Sequence, residues 1–304
     1  MTSRREFIRY TGATLAALAA PVPILSYAMQ EPRLPTRPIP GTDEDLPIIG
    51  LGNSEAFQSG NLDLSRQLLD IFMAKGGAYV DTSGPGRFTV RQIMRERNAQ
   101  DKLFLGTYIT SIDEQSGAEE IRAVQEAQGG KPLDLLLSRN VKDMTSHPDK
   151  FRHWKDAGLA RHLGVARSNK SFYESMMGFM EDGLVDFVQV NYSMLETDAE
   201  ERLLPMAHDM GIAVLINRPF LNGQYFSIVK GKTLPEWAEE FDCHSWAQFS
   251  LKFILANPAV NCVLTETANP KHAIDNLDAG FGRLPDEKTR KRMVKLIRDL
   301  ANQQ

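Results

Sequence analysis

From residue 48 onward the chain alternates short, nearly unbroken apolar runs with longer amphipathic stretches. Apolar runs at 48–51, 78–80, 103–105 and 133–137 are each followed by a helical pattern, at 64–75, 88–97, 118–127 and 150–156. Four more runs, at 162–166, 187–190, 213–216 and 262–264, lead into 172–181, 198–210, 246–256 and 272–277, and a closing helix is expected over 286–301. Runs without polar alternation are the signature of strands covered on both faces. Strands that alternate with helices pair in parallel. Eight such units over roughly 250 residues predict an α/β fold of one (β/α)8 TIM barrel. The competing doubly wound open sheet has no Gly-x-Gly-x-x-Gly after an early strand to support it.

Local chemistry sharpens the boundaries. Ser245 with Gln248 forms a capping box before Trp246. Gly76-Gly77 stops the first helix, because glycine enters the left-handed region at little cost. Pro285 marks the start of the last helix. Residues 221–242 carry no clear strand and read as a long loop with a short helix over 235–240. Residues 29–47 hold five prolines and read as an extended linker or a surface-hugging arm.

Charge and cysteine content narrow the function classes. The chain carries a formal charge of −4, while residues 1–28 contribute three arginines and one glutamate, so the remainder stands near −6. An acidic surface argues against binding nucleic acid or an anionic membrane. Cys243 and Cys262 are the only two cysteines, and they either pair or lie buried as small apolar residues. No His or Cys spacing suggests a metal.

The N-terminus resembles a twin-arginine export signal. Ser3-Arg4-Arg5-Glu6-Phe7-Ile8 precedes a weakly apolar stretch from Tyr10 to Ala20 and a small-residue exit at Ser26-Tyr27-Ala28. The stretch is too short and too rich in alanine and glycine to span a bilayer. This resemblance implies a signal over 1–28, an arm over 29–47, and a barrel over 48–304 that is delivered folded to the periplasm or beyond and is soluble once the signal is removed.

Further along, several segments resemble the aldo-keto reductases. Leu46-Pro47-Ile48-Ile49-Gly50-Leu51-Gly52 is similar to their first barrel strand, and Gly158 to Gly164 (GLARHLG) to their approach to strand five. Val185 to Tyr192 (VDFVQVNY) is similar to strand six and Gly211 to Pro219 (GIAVLINRP) to strand seven. Asn269-Pro270 with His272 and Asn276 is similar to the segment that packs on the cofactor's adenine end. The resemblance implies hydride transfer from NADP(H) to a carbonyl by an Asp, a Tyr, a Lys and a His. Val80-Asp81-Thr82-Ser83 keeps the Asp, but the tyrosine position five residues later is Gly86. The position after Thr107, where the lysine is expected, is Tyr108, and the position after Ser138, where the histidine is expected, is Arg139. Glycine has no proton to donate, and a guanidinium stays charged near neutrality.

The same resemblance puts Gln189 at the nicotinamide amide and makes Arg218 and Asn276 cofactor-side residues. Ala166-Arg167 stands in place of a Ser-Asn pair, and Glu266 brings negative charge where phosphates are expected. Three readings of the strand ends follow. In the first, Arg139, Arg167 and Arg218 form a basic mouth for a small anion, or else pair with Asp81, Glu266 or a loop acid. In the second, Asp81, Tyr108 and Arg139 form a relocated catalytic group with Tyr108 as proton donor, or Tyr108 is structural with its hydroxyl on Asp81. In the third, the aromatic-rich loop after Phe220 serves a protein partner.

Overall fold

The computed structural model describes residues 32–53, 55–109 and 114–303. The segment 1–28, expected to be an export signal, and the first residues of the expected arm lie outside them. Ten strands are present: β1 (Thr36–Pro38), β2 (Asp45–Pro47), β3 (Ile49–Leu51), β4 (Tyr79–Thr82), β5 (Phe104–Ile109), β6 (Leu133–Ser138), β7 (Ala160–Ala166), β8 (Phe187–Asn191), β9 (Ala213–Asn217) and β10 (Cys262–Thr265). Strands β3 to β10 pair in parallel and in sequence order, and β10 closes onto β3 through Leu264 and Gly50, so the eight-stranded barrel is complete.

Each barrel strand buries both faces, which is why its sequence run is continuously apolar. Outward residues such as Val80, Leu105, Leu136, Val188, Val214 and Val263 pack under the helices, while Tyr79, Phe104, Leu135, Phe187, Leu215 and Cys262 fill the barrel. Glycine is required where inward neighbours crowd the wall: a Cβ on Gly50 would meet Tyr79 at 2.9 Å and Cys262 at 3.0 Å.

The proline-rich segment, read as an extended linker or a surface-hugging arm, packs on the barrel over its described residues. It folds back as a hairpin, β1 on β2 with Arg37 opposite Leu46, and Ile39 and Leu46 enter the interior cluster beside Phe104 and Phe187. The hairpin therefore plugs the N-terminal end of the barrel. Arg37 reinforces it by donating to the carbonyls of Leu255 at 2.6 Å and Asn257 at 3.1 Å, which lie at the end of helix Trp246–Leu255.

Smaller differences have local causes. The connection after β6 contains a further helix, Val141–Ser146, capped by Asn140, which the polar sequence conceals. The final helix, Glu287–Ala301, takes Asp286 as N-cap, its carboxylate accepting from the Thr289 amide at 2.7 Å, so Pro285 stands one residue outside. Ser245 caps helix Trp246–Leu255 by accepting from the Gln248 amide at 3.0 Å, and the Gln248 side chain reaches back to the His244 amide at 2.9 Å. The segment after β9 holds a helix Gln224–Ile228 as well as the short turn Glu236–Phe241. Cys243 and Cys262 are both buried free thiols. Among the described residues no helix is long and apolar enough to cross a membrane, and no cluster of three or more His, Cys, Asp or Glu could hold a metal.

Candidate functional site

Inward side chains at the C-terminal ends of the barrel strands open into a cavity of about 780 Å³. Two-residue periodicity decides its lining. Tyr79 and Asp81 on β4, Tyr108 on β5, Gln189 on β8 and Asn217 on β9 continue the inward rows, and Arg139 and Glu266 follow β6 and β10 in the same phase. A second lobe of about 510 Å³ adjoins the first, with Tyr108, Arg139 and Arg167 common to both. A separate groove of about 920 Å³ lies on the flank, between helices Leu203–Met210 and Glu287–Ala301, away from the strand ends.

Asp81 lies at the centre of a buried hydrogen-bonded ring. Its Oδ1 accepts from the Tyr79 hydroxyl at 2.9 Å. Its Oδ2 lies 2.8 Å from the Tyr108 hydroxyl and accepts from Gln189 Nε2 at 3.0 Å. The Tyr108 hydroxyl also lies 2.5 Å from Gln189 Oε1, which accepts in addition from Asn217 Nδ2 at 3.3 Å. Three contacts link Asp81, Tyr108 and Gln189, but the tyrosine and the amide bring only two hydrogens to them. A proton kept on Asp81 supplies the third, and turning the amide over does not change the count.

Burial raises the Asp81 pKa above the ordinary carboxylate value, against the opposing effects of its three hydrogen bonds and of Arg139. Burial, and after it the Asp81 charge, raises the Tyr108 phenol well above its ordinary value, although Arg139 pulls the other way. The Arg139 guanidinium lies over the Tyr108 ring at 4.0 Å from its centroid, a cation–π contact that fixes the ring at the mouth.

The structure brings Asp81, Tyr108, Arg139 and Gln189 together, and Arg218 to the rim of the same cavity. It does not bring Asn276 there: that residue is buried within helix Pro270–Asp278. Gly86 also turns away, since it opens helix Gly86–Glu96 and a Cβ on it would meet Gln58 Nε2 at 2.9 Å. Among the described residues no carboxylate pairs with Arg139 or Arg167. Arg167 instead stacks on Phe172 at 3.6 Å and donates to the Arg139 carbonyl at 2.7 Å. Arg218 takes a left-handed backbone with φ of 53°, donates to the Ser168 carbonyl at 3.0 Å and stands 3.7 Å from Glu196. Glu266 packs against Gly52, where a Cβ would meet its Cγ at 2.4 Å, and no cation pairs with it among the described residues. Its pKa is raised by burial and then by Asp81.

Tyr79 and Asn217 are not among the residues expected at the site, and Phe226 is expected only on the aromatic loop that would serve a protein partner. The first two stand two positions from Asp81 and Leu215, so strand periodicity alone points to them. Phe226 reaches the mouth only through the turn made by Arg218, Leu221 and Asn222, all at positive φ, and no pattern announces it.

The Aldo/keto reductase family matches residues 49–294, and the chain belongs to that family. An aldo-keto reductase from Bacillus halodurans in its holo form superposes with a TM-score of 0.70 at 16% identity, covering 87% of this chain and 96% of that one. The glycerol dehydrogenase of Gluconobacter oxydans gives 0.70 at 16% identity, over 86% of this chain and 94% of its own. An aldo-keto reductase from Klebsiella pneumoniae in complex with NADPH gives 0.69 at 15% identity, over 85% and 93%. At such identities the likeness establishes the fold. No curated protein matches the chain.

Proposed function

We propose that this is an exported barrel of the aldo-keto reductase family that binds a small anion at its mouth and does not carry out NADPH-dependent carbonyl reduction. The observation that carries the reading is the ring at Asp81. A tyrosine occupies the strand-end position that the resemblance gives to a lysine, and its hydroxyl is held between Asp81 and Gln189. Carbonyl reduction needs a group that releases a proton to the oxygen as hydride arrives. The position expected to supply it is Gly86, which packs against Gln58. Tyr108 does not replace it, because burial holds its proton tightly and Gln189 Oε1 accepts that hydrogen within the ring.

The residues present also suit NADP(H) poorly. Gln189, expected at the nicotinamide amide, spends its Nε2 on Asp81 and its Oε1 on Tyr108 and Asn217. Glu266 adds a carboxyl, without a cation partner among the described residues, where phosphates are expected. What supports anion binding is Arg139 and Arg167, two guanidiniums beside a cavity that no carboxylate pairs among the described residues. The run Ser3–Ile8 supports export by the twin-arginine route. A protein partner on the loop after Phe220 is the lesser reading, since Phe220 and Tyr225 are already buried and only Phe226 stands exposed, at 42%.

The test is direct. Purified protein is titrated with NADPH while its fluorescence is followed, then incubated with NADPH and a panel of aldehydes and ketones. Neither saturable binding nor NADPH consumption is expected, whereas calorimetry should register acetate, phosphate or a larger anion. Turnover of a carbonyl with matching loss of NADPH overturns the reading.

A further inference from the structure

Among the described residues, Glu266 and the guanidiniums of Arg139 and Arg167 stand at the mouth without an ion-pair partner, on opposite walls. Glu266 follows β10, while Arg139 and Arg167 follow β6 and β7. In the strand order β10-β3-β4-β5-β6-β7-β8-β9, β6 lies four places from β10 in either direction around the closed barrel, as far away as the circle allows. Glu266 and Arg139 therefore face each other across the cavity and form no ion pair. Elsewhere the chain pairs its charges readily, as in Arg87 with Glu120 at 2.5 Å, Arg97 with Asp70 at 2.8 Å and Arg283 with Asp242 at 2.8 Å. Charges held apart across a concave, partly desolvated space are completed by a ligand that carries both complements.

We infer that the mouth takes a zwitterion, a small amino acid or amino-carboxylate, with its carboxylate on Arg139 and Arg167 and its ammonium on Glu266. The inference rests on the anion-binding reading above and names the ligand class for that same site. Three further features agree with it. The ring at Asp81 is complete when that carboxyl is neutral, so Glu266 is left as the ammonium partner. Arg218, the third guanidinium of the rim, already has Glu196 at 3.7 Å. Phe226 lines the cavity with an exposed ring tilted against Phe220 at 4.9 Å between centroids, which offers apolar contact to the ligand's carbon skeleton and a π face to its ammonium.

The experiment is calorimetry on the full-length folded protein with matched pairs. Glycine, β-alanine, 4-aminobutyrate and phenylalanine are compared with acetate, propionate, butyrate and 3-phenylpropionate, the same acids without the amine. At least one amino acid should bind tenfold or more tightly than its partner, a difference of about 1.4 kcal/mol. Glu266→Gln, which keeps the side-chain shape, should abolish that preference and retain the plain acid. Arg139→Gln should weaken both members of the pair, and a thermal melt of each variant shows that it is folded. If amine and amine-free acids bind alike, or if Glu266→Gln keeps the preference, the zwitterion is overturned while the anion site stands. If neither member of any pair binds, both readings fall.

Discussion

The Tyr108 hydroxyl stands 2.8 Å from Oδ2 of Asp81, a contact between the ends of two adjacent parallel strands. Where the family resemblance leads one to expect a lysine beside the aspartate, the contact is between a phenol and a carboxyl, and this sets the electrostatics of the mouth. A buried carboxylate without a cation in contact holds its proton, and a phenol pressed against it holds its own.

Replacing Asp81 by asparagine should therefore stabilise the protein at neutral pH. The amide matches the protonated carboxyl toward Tyr79, from which it accepts, and toward Tyr108, to which it donates, and Gln189 turns over so that its Oε1 accepts the second amide hydrogen in place of the Nε2 donation to Oδ2. The Asp81 pKa is raised in the folded state from its ordinary 3.8. Stability from the protonated group is thus complete below that value and is lost as pH rises through the folded pKa. Every tenfold by which folding tightens the hold on the proton is worth about 1.4 kcal/mol. Urea melts over a pH series should show the asparagine variant gaining on the native protein with rising pH and losing the advantage near pH 4. A constant difference across the series counts against a neutral Asp81.

Restoring tyrosine at the expected acid position should not restore reduction. In Gly86→Tyr the new Cβ meets Gln58 Nε2 at 2.9 Å and disturbs the Gln58 bond to the Ser83 carbonyl at 3.0 Å. The overpacking should cost about 1–3 kcal/mol, seen as a lower denaturation midpoint, with NADPH-linked turnover at background. Turnover above background would mean that the site tolerates its old geometry.

The plug at the barrel floor should matter to the whole fold. Leu46 is fully buried among Ile39, Phe104 and Phe187. Leu46→Ala should cost about 2–5 kcal/mol through lost burial and the void it leaves, measured by chemical denaturation. A cost under ~1 kcal/mol would place the hairpin outside the cooperative core.

Lys252 should prove structural. It is fully buried in helix Trp246–Leu255 and its Nζ donates to the carbonyls of Phe281 at 2.6 Å and Arg283 at 3.0 Å. Lys252→Met fills the same volume but strands both carbonyls, at about 1–3 kcal/mol. Hydrogen exchange should rise around residues 281–285 with ligand binding at the mouth unchanged. Loss of that binding would link this corner to the site.

The eight barrel strands were legible because burial on both faces leaves an apolar run that polar neighbours cannot mask. Asp81, Gly86, Tyr108 and Arg139 could be read from the ends of those runs, since strand ends fix where a side chain can appear. The helix Val141–Ser146 could not, because its polar sequence buries little beyond Val141 and Met144. Nor could the plug, because a proline-rich segment reads as a linker until something is present for Ile39 and Leu46 to enter.

By itself the sequence determined the barrel, the order of its strands and the chemical groups at their ends, because each follows from local periodicity and burial. Only the tertiary structure decided what those groups do to one another. Asp81, Tyr108 and Gln189 are separated by 27 and 81 residues, and whether a carboxyl keeps its proton depends on the hydrogens its neighbours bring to it. Likewise, Glu266 and Arg139 are separate letters in the chain, and closure of the sheet alone sets them on opposite walls of one cavity, within electrostatic reach but not in contact.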